Sequence, residues 1–344
     1  MLTVYSEDHA HHHAEAELAG GRMRPAVEVP ARAYAILERA RAVGLGEVVP
    51  PAEHGRAPLE RVHSPSYLSF LESAWEAWRE VHGEGDAFPI RWVVRGMRQQ
   101  EPKAIEGRVG YYAGDAGSPI TAGTWRAARA SADVALSGMD QVLAGRGSVF
   151  SLCRPPGHHA SRDVFSGYCY LNNAAVAAQA ARDRGAGRVA IVDIDYHHGD
   201  GTQTVFYDRA DVLFASIHAD PAEEYPYYLG YGDERGAGDG HGFNLNLPLA
   251  AGTRYDRYRE ALDAACAAVE AFGADVLVIS LGADTYEGDP ISNFALTSPD
   301  FLRIGERIAR LGRPTLFVME GGYAVSALGE NVVNVLAGFE EVAP

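Results

Sequence analysis

The sequence predicts an α/β fold, a central parallel sheet with helices on both faces, and three observations carry that reading. Short and nearly unbroken apolar runs recur along the chain, longer Ala-rich stretches with helical spacing separate them, and residues with chemical character come directly after the runs. A strand buried on both faces reads as continuous apolar sequence, and repeated strand, helix, strand order implies parallel pairing through right-handed crossovers.

Strands are expected at 2–5, 148–152, 189–193, 212–217, 276–281 and 315–318, each a few residues of β-branched and large apolar side chains. Helices are expected at 124–143, where Trp125, Ala128, Ala132, Met139 and Leu143 share one face, and at 172–183, 255–272 and 299–311. Residues 80–122 break the alternation. Gly83, Gly85, Pro89, Pro102, Gly107, Gly110, Gly114, Gly117 and Pro119 crowd together without a period. An excursion of that length inside a compact domain is expected to be a functional lid or a subunit contact, and Trp92 and the Tyr111–Tyr112 pair give it something to pack. With no internal repeat and no linker, residues 1–344 are expected to form a single domain carrying this insertion.

Composition narrows the function. With 47% apolar and 22% charged residues the chain has ample core, and 30 basic against 46 acidic residues leaves a net charge of −16. That field repels phosphate backbones and anionic lipid while drawing in small cations, so nucleic-acid and membrane partners are not expected. No run approaches the ~18 apolar residues of a membrane span, and the first residues lack a signal-peptide pattern. Three cysteines, Cys153, Cys169 and Cys266, are too few for a disulfide framework. A cytoplasmic protein is expected, with Cys153 and Cys169 acting as small buried hydrophobes and the histidines at 11–13 in a solvated loop.

Four segments past the expected strands carry the chemistry. In Asp193-Ile194-Asp195-Tyr196-His197-His198-Gly199-Asp200, acids and imidazole alternate, and an extended backbone would put Asp193, Asp195 and His197 on one side. A carboxylate and an imidazole two apart, joined by Asp284 after the strand at 276–281, make a workable set of divalent-metal ligands with an open position. Taken singly, each would more often be a cap or a loop hydrogen-bonder; clustered after adjacent strands, they favour a site. Pro155-Pro156-Gly157 delivers His158 and His159 on a rigid turn, where one imidazole can take a proton and the other hold charge. Gly167, before Tyr168, permits close backbone approach to a ligand, and Glu320-Gly321-Gly322-Tyr323 ends a strand in a turn that offers the Tyr323 hydroxyl to a polarised oxygen.

Together these strings resemble the zinc-dependent histone-deacetylase superfamily, and the opening Tyr5-Ser6-Glu7-Asp8-His9, the 67–78 helix and the 80–122 excursion most resemble its bacterial acetylpolyamine amidohydrolases. The resemblance implies the arginase/deacetylase α/β fold. It also implies a zinc, or ferrous, ion held by Asp195, His197 and Asp284, His159 as general base, His158 as a charged partner and Tyr323 as donor to the oxyanion. Asp193 and Ser216 match residues that hold a structural potassium ion, Tyr168 an aromatic wall beside Gly167, and Glu106 an acidic position near the entrance. Arginases are related but carry a further Asp where this chain has Tyr286, which favours a single catalytic metal. At the place of a second entrance acid stands Gly117, with Asp115 two residues away. The activity implied by this resemblance is hydrolysis of a small cationic acetylated substrate, by a homodimer joined through the 80–122 loop. Deacetylation of acetyl-lysine in proteins or peptides, and a catalytically silent module that sequesters acetylated ligands, stand as alternatives; every position that a silent relative would lose is filled.

Overall fold

The computed structural model describes residues 1–94 and 96–343. Its first half is built of β1 (Leu2–Val4), β2 (Ala16–Ala19), β3 (Arg22–Pro25), α1 (Ala31–Ala42), β4 (Val48–Val49), α2 (Ala57–Glu60), α3 (Pro65–His82), α4 (Ile105–Tyr112), α5 (Thr124–Leu143) and β5 (Ser148–Ser151). The second half continues as α6 (Asn173–Asp183), β6 (Val189–Asp193), α7 (Asp200–Phe206), β7 (Val212–Ala219), β8 (Asn244–Leu249), α8 (Tyr255–Phe272), β9 (Val276–Leu281), α9 (Ser298–Ala309), β10 (Thr315–Met319) and α10 (Val325–Val342).

Eight of the strands form one wholly parallel sheet in the order β4-β1-β5-β10-β9-β6-β7-β8. Every residue of β6, β7, β9 and β10 is buried, so both faces are covered by helices, as the unbroken apolar runs predict. Helix ends are fixed locally. Asn172 accepts from the Ala175 amide at 2.9 Å to start α6, Asp300 reaches back to the Thr297 amide at 2.9 Å at the start of α9, and Gly273 closes α8 with φ +69°.

The six expected strands and four expected helices are present. Two further strands lie at the sheet edges: β4 is two residues long, and β8, Asn-Leu-Asn-Leu-Pro-Leu, alternates because one face is only partly covered and tolerates Pro248 because an edge strand need not donate on both sides. The excursion at 80–122 is not structureless, since it contains α4 and a bridge between Ala87 and Ile120. The solvated loop expected at 11–13 is also corrected. His12 is buried, and its Nδ1 lies 3.0 Å from Thr124 Oγ1. All three cysteines are free and buried. Among the described residues no helix is long and apolar enough to cross a membrane.

Candidate active site

The middle four strands, β5, β10, β9 and β6, end side by side, and open α/β sheets bind ligands beyond such carboxyl ends. Strand β6 stops at Asp193, so Asp195 and His197 stand on the turn beyond it and not on an extended continuation of the strand. This corrects the one-sided arrangement expected from alternation. The turn carries Asp195 and His197 towards Asp284, whereas Asp193 faces His158, with Oδ2 3.0 Å from Nδ1.

Asp195, His197 and Asp284 each offer one ligand atom, all within 4.8 Å of one another, and all three side chains are buried. His197 Nδ1 lies 3.1 Å from Asp284 Oδ2 and 3.3 Å from Asp195 Oδ1. Backbone amides aim the carboxylates: Gly321 N donates to Asp195 Oδ2 at 2.8 Å, and Tyr196 N donates to Asp284 Oδ1 at 2.9 Å. A Cβ at Gly321 would stand 2.6 Å from Asp284 Oδ2, and one at Gly282 would overlap Asp195 Oδ2. Only glycines allow these backbones so close. Burial and the neighbouring Asp195 push the Asp284 pKa up, because two negative charges are crowded together away from bulk solvent. Two buried carboxylates and an imidazole in a glycine cradle fit a divalent cation, and zinc suits that donor set.

The two histidines after Pro156 have different partners. His159 Nδ1 is held by Asp200 Oδ1 at 2.7 Å, which fixes the ring and leaves Nε2 for the cavity; burial and the adjacent His158 push its pKa down, so it stays neutral. Burial also opposes charge on His158, but Asp195 and Asp193 outweigh it and raise its pKa. The turn is braced from below by Glu320 Oε2, which accepts from the amides of Gly157 at 2.6 Å and His158 at 3.1 Å. Tyr323 is clamped from two sides. Its amide donates to Asp289 Oδ2 at 2.6 Å, and the Arg32 guanidinium lies 4.7 Å from its ring while donating to the Gly322 and Glu320 carbonyls, each at 2.6 Å. Arg32 and Arg154 converge on the buried Glu28 carboxylate, at 2.7 and 2.8 Å, tying the chain before α1 to the loops after β5 and β10.

A cavity of about 400 Å³ opens above His159, His197 and Tyr323. Gly167 and Tyr168 form one wall, as expected. Gly167 has φ +54°, and a Cβ there would stand 2.9 Å from His159 Nε2. The Tyr168 hydroxyl donates to Glu17 Oε1 at 3.1 Å. Asp115 also lines the cavity and ties the wall together, accepting from Gly167 N at 2.6 Å, Gly117 N at 2.9 Å and the Tyr225 hydroxyl at 2.9 Å. Glu106 is not brought to this cavity. Helix α4 turns Ile105, Val109 and Tyr112 into the core, which leaves Glu106 on another face, 3.1 Å from His82 Nε2. Asp193 and Ser216 are register partners on β6 and β7, both buried, with Ser216 Oγ 2.8 Å from His218 Nδ1.

Sequence reasoning missed Glu17, Asp200, Asp289, Glu224 and Tyr225. Glu17 sits on β2, whose hairpin to β3 turns through Gly20 and Gly21, both at positive φ; that Gly-Gly pair between two short runs is a hairpin signal. Glu224 and Tyr225 belong to the acid- and tyrosine-rich stretch after β7, which had a compositional signal. Asp289, in a loop, had none.

The histone deacetylase domain matches residues 26–339. Acetylpolyamine amidohydrolase 2 of Pseudomonas aeruginosa is 58% identical over 342 residues, covering 99% of each chain, and the acetylpolyamine amidohydrolase of Mycoplana ramosa is 49% identical over 98% of this chain and 99% of its own. The crystal structure of an acetylpolyamine aminohydrolase from Burkholderia pseudomallei superposes with a TM-score of 0.96 at 40% identity over the whole of both chains. With Asp195, His197 and Asp284 gathered with the paired histidines and Tyr323 at the ends of the parallel strands, the chain belongs to the histone deacetylase domain family.

Proposed function

We propose that this chain hydrolyses the amide of acetylated polyamines, releasing acetate and the free amine. The observation that carries the reading is a complete hydrolytic set, Asp195, His197, Asp284, His159 and Tyr323, at the inner end of a cavity whose walls bear the carboxylates Glu17, Asp115 and Glu224. One zinc ion held by Asp195, His197 and Asp284 would polarise the amide carbonyl and make a water nucleophilic at neutral pH. Neutral His159, oriented by Asp200, takes the proton of the attacking water and passes it to the departing nitrogen. The Tyr323 hydroxyl donates to the developing oxyanion, and charged His158 adds positive potential behind it. Carboxylate-lined walls favour an ammonium-bearing chain over a neutral one.

Three further elements belong to the reading. A structural potassium ion would be held near the buried Asp193 and Ser216, which pair in register across β6 and β7. Homodimerisation through the excursion is supported by exposed Ile90, Trp92, Val93, Val94 and Met97, an apolar run that a second copy would cover. Three free thiols suit the reducing cytoplasm.

Acetate release by the zinc-loaded protein from acetylputrescine, acetylcadaverine, acetylspermidine and an acetyl-lysine peptide tests the function. The acetylpolyamines are expected to have the higher kcat/KM. A faster peptide would transfer the protein to lysine deacetylation, and no release from any substrate would leave a silent binding module.

A further inference from the structure

Among the described residues, two that are not glycine hold a left-handed backbone, Tyr168 and Tyr227, each at φ +65°. Both line the same cavity. A tyrosine in that region is kept there only where surrounding contacts over-determine it, and such positions gather at ligand sites. Tyr168 has an evident place as the inner wall. Tyr227 takes no part in the reaction described above, yet its backbone is pinned: the Tyr231 hydroxyl donates to the Tyr227 carbonyl at 2.9 Å, and the Tyr227 amide donates to the Glu224 carbonyl at 3.0 Å.

Tyr227 is one rung of a ladder that starts at a metal ligand. Ring centroids are 6.1 Å apart from His197 to Tyr225, 6.3 Å from Tyr225 to Tyr227 and 6.4 Å from Tyr227 to Tyr228, with interplanar angles of 77°, 76° and 68°. Exposure rises along it: Tyr225 is half-buried, Tyr227 is 49% exposed and Tyr228 is 71% exposed. Glu224 lines the cavity beside these rings, with Oε1 2.7 Å from Asn293 Nδ2. The stretch 220–234 holds Asp220, Glu223, Glu224, Asp233 and Glu234 and neither lysine nor arginine. Tyrosine faces with a nearby carboxylate attract alkylammonium groups. An extended arm of four carbons separates two such groups by about 6 Å at ordinary bond lengths, close to one step of the ladder.

We propose that Tyr227, with Glu224, forms an outer cation subsite that takes the second ammonium of an acetylated polyamine carrying more than one. The proposal rests on the acetylpolyamine reading and adds which residues separate long substrates from short ones. Tyr227→Leu, Tyr227→Phe and Glu224→Gln are compared with the unaltered zinc-loaded enzyme on acetylputrescine, which has one free ammonium, and N1-acetylspermidine, which has two separated by a four-carbon arm. Tyr227→Leu should raise KM for acetylspermidine about five- to tenfold and for acetylputrescine less than twofold. Tyr227→Phe, which keeps the ring face, should restore most of the loss, and Glu224→Gln should fall between. Calorimetric titration with spermidine and putrescine should show the same selective weakening without turnover. Equal shifts for both substrates, no shift for either, or failure of phenylalanine to rescue would overturn the subsite while leaving the enzyme an acetylpolyamine hydrolase. Hydrolysis of neither substrate by the unaltered enzyme would instead remove the reading beneath it.

Discussion

The inner end of the cavity and its mouth are built by different rules. At the inner end, His159, His197, Asp284 and Tyr323 come just after the ends of neighbouring parallel strands, so strand register sets their spacing and backbone amides aim their carboxylate partners. At the mouth, Glu17 comes from a hairpin, Asp115 from the excursion, and Glu224 and Tyr225 from the stretch after β7, brought together by side-chain bonds between remote segments. In the proposed function, the chemistry is anchored in the sheet and the selectivity in the loops. Alterations at the inner end should therefore act on kcat, and alterations at the mouth on KM.

The largest effects should separate metal from catalyst at the inner end. Asp284→Ala removes one of three ligands and should abolish both metal content, by elemental analysis, and activity. His159→Ala and Tyr323→Phe should keep the metal while lowering kcat at least about a hundredfold, because each acts on the transition state. Metal loss in the last two variants, or unchanged turnover, would break the division.

Next in size is the buried Glu28 carboxylate that joins Arg154 and Arg32. Burial opposes its charge, but the two guanidiniums outweigh burial and hold its pKa down at about 2, from an ordinary 4.5. A depressed carboxylate pKa means stability fully present above pH ~4.5 and lost as pH falls towards 2, on the order of 3 kcal/mol. Denaturant unfolding across that window should show the slope in the unaltered protein. Glu28→Gln should make that slope shallower by about this amount, leaving the part due to other depressed carboxylates such as Asp211, and be destabilised even at neutral pH, since two arginines are left facing a neutral amide.

The inner end was largely legible in the sequence because strand ends and the residues just past them are sequence neighbours. Asp195, His197, Asp284, His158, His159 and Tyr323 could be read from short strings, and the structure brings them together. The mouth was not legible in the same way. Whether Glu106 or Asp115 faces the substrate depends on which side of α4 packs inward and on where residues 113–118 meet the 166–168 turn, contacts that no local spacing encodes. The edge strands β4 and β8 escaped for a related reason: partial exposure erases the apolar run that marks a central strand.

Asp115→Ala sharpens the comparison at the mouth. Three donors lose one acceptor, so the wall at Gly167, Tyr168 and Tyr225 should loosen, raising KM for acetylputrescine roughly three- to tenfold with a smaller change in kcat. A kcat loss matching the inner-end variants would show that Asp115 belongs with the chemistry. The smallest effect is expected for Glu106→Gln, whose carboxylate makes a half-exposed pair with His82 worth under about 1 kcal/mol. Steady-state kcat/KM for acetylpolyamines should change less than about twofold. A larger loss, confined to cationic substrates and fading with salt, would place Glu106 at a mouth shared between two copies.

Strand β10 lies between β5 and β9 although it is made after both, and the loop beyond it brings Gly321 against Asp195 and Tyr323 over the cavity. A chain growing from its amino terminus therefore has no strand to join β5 to β9 until residues 315–323 are made. Until then Asp195 Oδ2 lacks its Gly321 donor, and the two halves of the sheet have no common strand. Hydrolytic competence thus comes last in the life of each molecule, so a partly synthesised chain is no stray amidase.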